Sequence, residues 1–164
     1  DAYARDLASA GGAGLITPDL TPDEAKEWMA ASEAHGLDRV FLVAPSSTDE
    51  RLASTVAACR GWVYATSVMG VTGTRAQTSS AAPELVARVK AVNSEIPVGV
   101  GLGVSNGDQA AEVGSFADGV IVGSALVRAL VEAEEQGETA HIGIDRMRTI
   151  VDDLVSGVRR ARLQ

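Results

Sequence analysis

The chain has 164 residues, 46% hydrophobic and 22% charged, the ordinary balance of a globular domain with a sizeable core. Its net charge of −8 argues against a nucleic-acid partner, because binding a polyanion requires clustered lysine and arginine. No apolar run reaches about 18 residues, which argues against a membrane-spanning segment, and the single cysteine, Cys59, excludes an internal disulfide and favours a cytoplasmic protein.

Apolar strands alternate with helices along the whole chain. The first helix, at 1–9, has no N-cap, which suggests a chain cut from a longer one. Capping boxes that begin at Thr21 and Ser47 open two further helices, and a long loop at 68–80 precedes a helix that starts near Pro83. The five predicted strands lie at 15–17, 39–43, 62–65, 98–100 and 119–122, and the last helices lie at 124–134 and 144–161.

Strict alternation of this kind predicts an α/β fold with a parallel sheet and the helices outside. Two architectures fit: an open doubly wound sheet, and part of a (β/α)8 TIM barrel. Glycines after the last two strands favour the barrel, because barrel loops after strands 7 and 8 commonly hold phosphate. We therefore expect residues 1–164 to form a single domain that supplies strands 4–8 of a barrel, with three strands upstream of Asp1.

The strongest site signal is a pair of glycine-rich strand ends, Gly101-Leu102-Gly103 and Gly123-Ser124. Glycine lets backbone N–H groups approach an anion, and a helix N-terminus behind it adds a favourable dipole. Each motif alone is weak, because glycine is common at strand-to-helix turns for backbone reasons. Two of them in consecutive units indicate a phosphate site.

Other candidate residues allow two interpretations. Asp19 follows the first strand, where barrel active sites lie, yet it also fits an Asx turn. Tyr64 is either a core aromatic or a hydroxyl in the site. Thr72 and Gly73 lie in the long loop, whose length is typical of a lid.

Metal and nucleotide sites are disfavoured. Neither His35 nor His141 follows a strand or has a second histidine nearby, and the chain has no Cys-x-x-Cys pair. It also lacks a Gly-x-Gly-x-x-Gly motif after the first strand and a Walker motif.

Several stretches together resemble the α subunit of tryptophan synthase in its actinobacterial form. The more specific ones are Met69-Gly70-Val71-Thr72-Gly73 and Val122-Gly123-Ser124-Ala125. The resemblance covers essentially the whole chain and the C-terminal three-fifths of the family's domain. The other matching stretches lie at 15–20, 43–46, 64–69, 97–103 and 118–126.

This resemblance implies a TIM-barrel lyase of tryptophan biosynthesis that cleaves indole-3-glycerol phosphate into indole and glyceraldehyde 3-phosphate. It implies no cofactor in this subunit and an α2β2 heterotetramer with a β subunit that carries pyridoxal phosphate. Carried over position by position, it implies phosphate binding by Gly73, Gly103, Gly123 and Ser124, an indole pocket of Ile16, Leu42 and Leu102, a lid threonine at Thr72, and a substrate contact at Tyr64 that orients the catalytic carboxylate.

The family's acid/base glutamate and its aspartate come from segments upstream of Asp1. Because the lyase step needs these carboxylates, we expect the 164-residue chain alone to bind phosphate weakly and not to turn over. Two alternatives stay open. Another phosphate-binding barrel, such as an isomerase of histidine or tryptophan synthesis, would share the glycines but not the motif at 69–73. A catalytically inactive half-barrel would self-associate through its unpaired strand edges.

Overall fold

A computed structural model describes residues 1–66, 75–101 and 103–161, with backbone alone over 75–80. The described part holds seven helices and six strands, none of the helices long and apolar enough to cross a membrane. In chain order they are α1 (Ala2–Ser9), β1 (Gly14–Ile16), α2 (Lys26–Ala34), β2 (Asp38–Val40), β3 (Leu42–Val43), α3 (Asp49–Ala58), β4 (Val63–Thr66), α4 (Arg75–Val92), β5 (Val98–Gly101), α5 (Gly107–Gly114), β6 (Gly119–Ile121), α6 (Ser124–Glu135) and α7 (Ala140–Ala161).

The described residues divide into two compact units. Unit 1 holds residues 1–66 and 75–99, with α1 to α4, β1 to β4 and the start of β5. Unit 2 holds residues 100–101 and 103–161, with the end of β5, β6 and α5 to α7. A single domain over 1–164 stays a prediction.

Parallel pairing, as the alternation predicts, organises the strands of unit 1. β1 pairs with β2 from Gly14 opposite Asp38, and β3 pairs with β4 from Leu42 opposite Tyr64. The single strand predicted at 39–43 is instead two, because the chain changes partner at Phe41. Phe41 is fully buried there, and its carbonyl accepts the Tyr64 N–H at 3.2 Å. The α/β class with parallel strands is therefore confirmed.

The start of α2 corrects the prediction that Thr21 caps this helix. Both the N–H and the hydroxyl of Thr21 donate to Glu24 Oε2, at 3.3 and 2.7 Å, and these bonds lower the pKa of Glu24. Because the hydroxyl donates rather than accepting a helix N–H, the pair closes a turn, and α2 begins only at Lys26.

Gly36 ends α2 as predicted. Its φ of +67° is the left-handed conformation that glycine adopts most readily. The Gly36 N–H donates to the carbonyl of Glu33 at 3.3 Å, and the Leu37 N–H donates to that of Ser32 at 2.8 Å. These two bonds form a Schellman motif, and Leu37 is buried beneath it.

Three other helix starts differ from prediction. Thr48, not Ser47, caps α3 by accepting the Arg51 N–H at 3.3 Å. Helix α4 begins at Arg75, and Pro83, near which its start was predicted, lies inside the helix. The alanines close to Pro83 have a high helix propensity, which counteracts the low propensity of proline in a helix interior. Helix α7 begins at Ala140 rather than 144, and its start was missed because residues 140–142 are exposed and carry no apolar pattern.

The core of unit 1 contains a small cluster of Phe41, Ala25 and Ala58. Cys59 is half-buried against this cluster, and its thiol lies 4.0 Å from the carbonyl of Phe41. Burial raises the pKa of the Cys59 thiol, so the thiolate is disfavoured. The contacts fit the predicted structural role of this cysteine.

Helix α7 is the element against which α5 and α6 pack in unit 2. At the start of α5, the Gly107 N–H donates to Asp153 Oδ2 at 2.6 Å, and Gly157 lies against the Gly107 backbone. An exposed ion pair between Arg160 and Asp108, at 2.7 Å, joins the same two helices. The first turn of α5 is thus held to α7 by a hydrogen bond, close packing and a charge pair.

Candidate functional site

The two glycine turns of the predicted phosphate site lie in unit 2. Gly103 follows β5 with a φ of +67°, and Gly123 follows β6. Neighbouring strands joined through a helix run parallel, so both turns leave the sheet at its carboxyl edge. Both glycines and Ser124 are exposed.

The N-terminus of α6 is open to a ligand. Gly123 is its N-cap and provides no side-chain hydrogen bond to the helix. The first N–H groups of a helix lack intrahelical partners, and the helix dipole favours an anion beside them. Among the described residues, no atom lies within 4 Å of a Cβ built on Gly123, which leaves space for a ligand beside the turn. This arrangement suits phosphate binding by backbone N–H groups and the Ser124 hydroxyl.

The turn after β5 is fixed at the two residues that follow Gly103. Val104 is buried, with 3% of its surface exposed. Ser105 donates from its N–H and its hydroxyl to Gln109 Oε1, at 2.9 and 3.1 Å. Sequence reasoning missed Gln109, although an asparagine at 106 followed by glutamine three residues later is a capping-box pattern.

A cavity of about 270 Å³ lies in unit 1 at the carboxyl ends of β1 and β3. It brings together two of the candidate residues, Asp19 and Leu42, with Arg51 and Thr55 from α3 and Thr66 at the end of β4. Ile16 and Tyr64 are not among its lining residues. Its lining mixes polar side chains with aliphatic ones, and it leaves both interpretations of Asp19 open.

Ile16 and Tyr64 lie on two strands of unit 1, at the carboxyl end of β1 and in the first half of β4. Ile16 is the last residue of β1 and is 43% exposed, which leaves apolar surface for a ligand. Tyr64 is half-buried and stacks on Trp62, with ring centroids 5.9 Å apart. An indole pocket at Ile16 and Leu42, and a substrate contact at Tyr64, stay predictions.

Three predicted site residues, Thr72, Gly73 and Leu102, lie outside the described residues, as does most of the predicted lid loop.

A second cluster that sequence reasoning missed surrounds Arg39, of whose side chain 12% is exposed. Its guanidinium donates to the Ala58 carbonyl at 3.2 Å, the Ser32 hydroxyl at 3.1 Å and Glu33 Oε2 at 3.0 Å. The hydrogen bond from Arg39, then the charges of Arg60 and Arg39, lower the pKa of Glu33. Arg39 lies on β2, before the carboxyl end of that strand, so the cluster has a structural role.

The Arg39 cluster predicts a pH dependence. A lowered carboxyl pKa stabilises the fold above the ordinary value of 4.5, and this contribution is lost as pH falls through the lowered pKa. We expect Arg39→Met to remove most of the contribution from Glu33, so the variant should lose less stability than the native chain below about pH 5. Urea unfolding from pH 6 to pH 3 measures this difference. Equal slopes in the two chains would contradict it, and Arg148→Met, at an exposed pair on α7, is the control.

Comparisons with known proteins agree on one family. The profile for "Tryptophan synthase alpha chain" matches residues 1–155. The Mycobacterium ulcerans tryptophan synthase alpha chain is 65% identical over 162 residues, which are 99% of this chain and 56% of that protein. The Mycobacterium tuberculosis H37Rv protein of the same name is 65% identical over 159 residues, covering 97% and 55%.

Solved structures show the same similarity. The aminoacrylate-bound tryptophan synthase of M. tuberculosis matches with a TM-score of 0.81 and 59% identity, over 96% of this chain and 55% of that one. The tryptophan synthase subunit alpha of Legionella pneumophila matches with a TM-score of 0.74 and 29% identity, over 98% and 55%. The chain therefore spans about half the length of the relatives it matches.

Proposed function

Because the chain belongs to the tryptophan synthase alpha chain family, we propose that it supplies strands 4–8 of a (β/α)8 barrel whose completed form acts in tryptophan biosynthesis. That form is a lyase, which cleaves indole-3-glycerol phosphate into indole and glyceraldehyde 3-phosphate. The observation that carries the proposal is the open N-terminus of α6 at Gly123 and Ser124, which follows β6, the next strand after the Gly103 turn. Its support comes from 65% identity to relatives across nearly the whole chain.

In this proposal the substrate phosphate lies between the turn at Gly103 and the start of α6. Backbone N–H groups at Gly103 and Gly123 and the hydroxyl of Ser124 donate to the phosphate oxygens, and the α6 dipole adds favourable charge. Gly73 contributes a further donor and Thr72 closes over the site. Binding at this remote, unreactive end of the substrate orients the other end for reaction.

The reacting end lies against Ile16, Leu42 and Leu102, which form the indole pocket, and Tyr64 orients a catalytic carboxylate. Cleavage breaks the bond between indole C3 and the glycerol chain. A base takes the proton of the adjacent glycerol hydroxyl as the aldehyde forms, and an acid protonates indole C3. The family's glutamate and aspartate perform these transfers, and we assign neither role to Asp19. The 164 residues alone are therefore proposed to be inactive.

The proposed partner is a tryptophan synthase β subunit, in a cytoplasmic α2β2 heterotetramer. Pyridoxal phosphate belongs to that β subunit, and this chain uses no cofactor of its own. The similar M. tuberculosis protein was solved as tryptophan synthase in an aminoacrylate-bound form, which supports assembly of this kind.

Indole release tests the proposed function. We expect no indole from the chain alone, because it lacks the two carboxylates, and release of indole once the first three strand–helix units of the M. tuberculosis relative are fused before Asp1. A colorimetric indole assay with indole-3-glycerol phosphate measures both proteins, and circular dichroism and native mass confirm that each is folded.

Three results would contradict the proposal. Indole release by the chain alone would show that the upstream carboxylates are dispensable. A folded fusion that releases no indole but isomerises a phosphorylated aminosugar would favour the isomerase alternative. A stable homo-oligomer of an inactive fusion would favour the self-associating half-barrel.

A further inference from the structure

Gln109 belongs to the first turn of α5, yet its side chain reaches outside the helix. Its Oε1 accepts both the N–H and the hydroxyl of Ser105, at 2.9 and 3.1 Å. Ser105 ends the turn that starts at Gly103, one of the proposed phosphate-binding residues. The side chain of Gln109 therefore connects α5 to the backbone of the proposed site.

Helix capping alone does not account for these contacts. In a capping box the third helical residue accepts the N–H of the N-cap residue itself. Here the N-cap is Asn106, whose Oδ1 already caps α5 by accepting the Gln109 N–H at 3.0 Å. Gln109 Oε1 instead accepts from Ser105, one residue before the cap. We propose that Gln109 is a positioning residue of the phosphate site, which holds the Gly103–Ser105 turn in its binding conformation.

The turn needs such an anchor because of its own sequence. Gly103 has a positive φ and has more conformational freedom than any other residue type. Val104 is fixed by burial on one side, and the two bonds to Gln109 fix Ser105 on the other. A turn fixed in advance loses less conformational entropy when it binds an anion, so binding is tighter.

The first turn of α5, which carries Gln109, is itself fixed to α7. The N–H of Gly107, the first residue of α5, donates to Asp153 Oδ2 of α7 at 2.6 Å. Gln109, two residues later in the same turn of helix, is half-buried. The hydrogen bond from Gly107 to Asp153 and the partial burial of Gln109 place its carboxamide on a part of unit 2 that is fixed to α7.

Titration of the 164-residue chain with inorganic phosphate tests the proposal, with backbone amide resonances followed by NMR. We expect Gln109→Met, which keeps the length but removes the acceptor, to weaken phosphate binding about fivefold to tenfold. Glu112→Gln is the matched control, because Glu112 is exposed on the same helix, and its affinity should stay within about twofold of the native chain. Gln109→Glu keeps an oxygen acceptor and should restore the Ser105 amide resonance that Gln109→Met displaces.

This inference rests on the proposed phosphate site, and the results separate the two. If phosphate moves no amide resonance near Ser124 in the native chain, the phosphate site fails and the inference with it. If the native chain binds but Gln109→Met binds equally well, only the inference fails. Gln109 would have a purely structural role if Gln109→Met lost affinity together with a lower urea midpoint and Gln109→Glu did not restore the Ser105 amide resonance.

Discussion

Gly157→Ala is expected to destabilise unit 2 by about 3 kcal/mol, opposite in sign to the usual effect of this substitution inside a helix. A Cβ at Gly157 would overlap the carbonyl oxygen of Gly107, and it would lie 2.6 and 2.8 Å from the carbonyl carbon and Cα of that residue. These atoms are backbone and cannot rotate away, so α5 and α7 must separate. Separation also breaks the hydrogen bond from the Gly107 N–H to Asp153.

Gly143→Ala is the matched control on the same helix. Its Cβ would lie 3.2 Å from Ala133 Cβ and from the Cα and Cδ2 of Leu130. Small shifts relieve contacts of that length, and the gain in helix propensity, about 1 kcal/mol, offsets them. Urea unfolding of the native chain and the two variants measures the difference. Equal stability of the two variants would contradict the close packing of α5 on α7.

The contact between Gly157 and Gly107 also affects the proposed phosphate site. Gly107 begins the helical turn that carries Gln109, so moving α5 away from α7 also moves the anchor of the Gly103–Ser105 turn. We therefore expect Gly157→Ala to weaken phosphate binding even where the variant remains folded, which Gly143→Ala should not do.

Local patterns in the sequence predicted the elements but not their long-range contacts. The apolar strands, the termination of α2 at Gly36 and the start of α6 after Gly123 each depend on a few adjacent residues, and each was predicted. The prediction at Thr21 failed because one hydroxyl can either accept or donate, and the partner it finds decides which. The prediction that α4 starts near Pro83 failed because a rule for helix starts does not exclude proline inside a longer helix.

The candidate site shows the same difference between local patterns, which could be predicted, and long-range contacts, which could not. Gly103 and Gly123 could be predicted as site residues because a strand-to-helix turn imposes its residue types locally, and their role in phosphate binding stays a prediction. The contact of Gly157 with Gly107 joins residues far apart in sequence, so no local pattern encodes it. Arg39 carries no motif, because its partners come from α2 and from the end of α3.

Gly123→Val is expected to abolish phosphate binding while the fold survives. No atom of the residues that the structure describes lies within 4 Å of a Cβ built on Gly123, so the valine Cβ has room there, and the less favourable N-cap character of valine costs about 1 kcal/mol. The same side chain fills the space that a phosphate needs to reach the first N–H groups of α6. The chain should show no saturable amide shifts with inorganic phosphate, and the fused barrel should lose at least about a hundredfold in kcat/KM for indole release.

Gly103→Val distinguishes blocking of the site from strain in its backbone. In the described part of the chain no atom lies within 4 Å of a Cβ built on Gly103 either, but its φ of +67° strains any other residue by about 1–2 kcal/mol. Both variants should therefore lose affinity, and Gly103→Val should lose more stability, about 1–2 kcal/mol against about 1 kcal/mol for Gly123→Val. If a folded Gly123→Val chain binds phosphate as tightly as the native one, the anion does not bind at the N-terminus of α6.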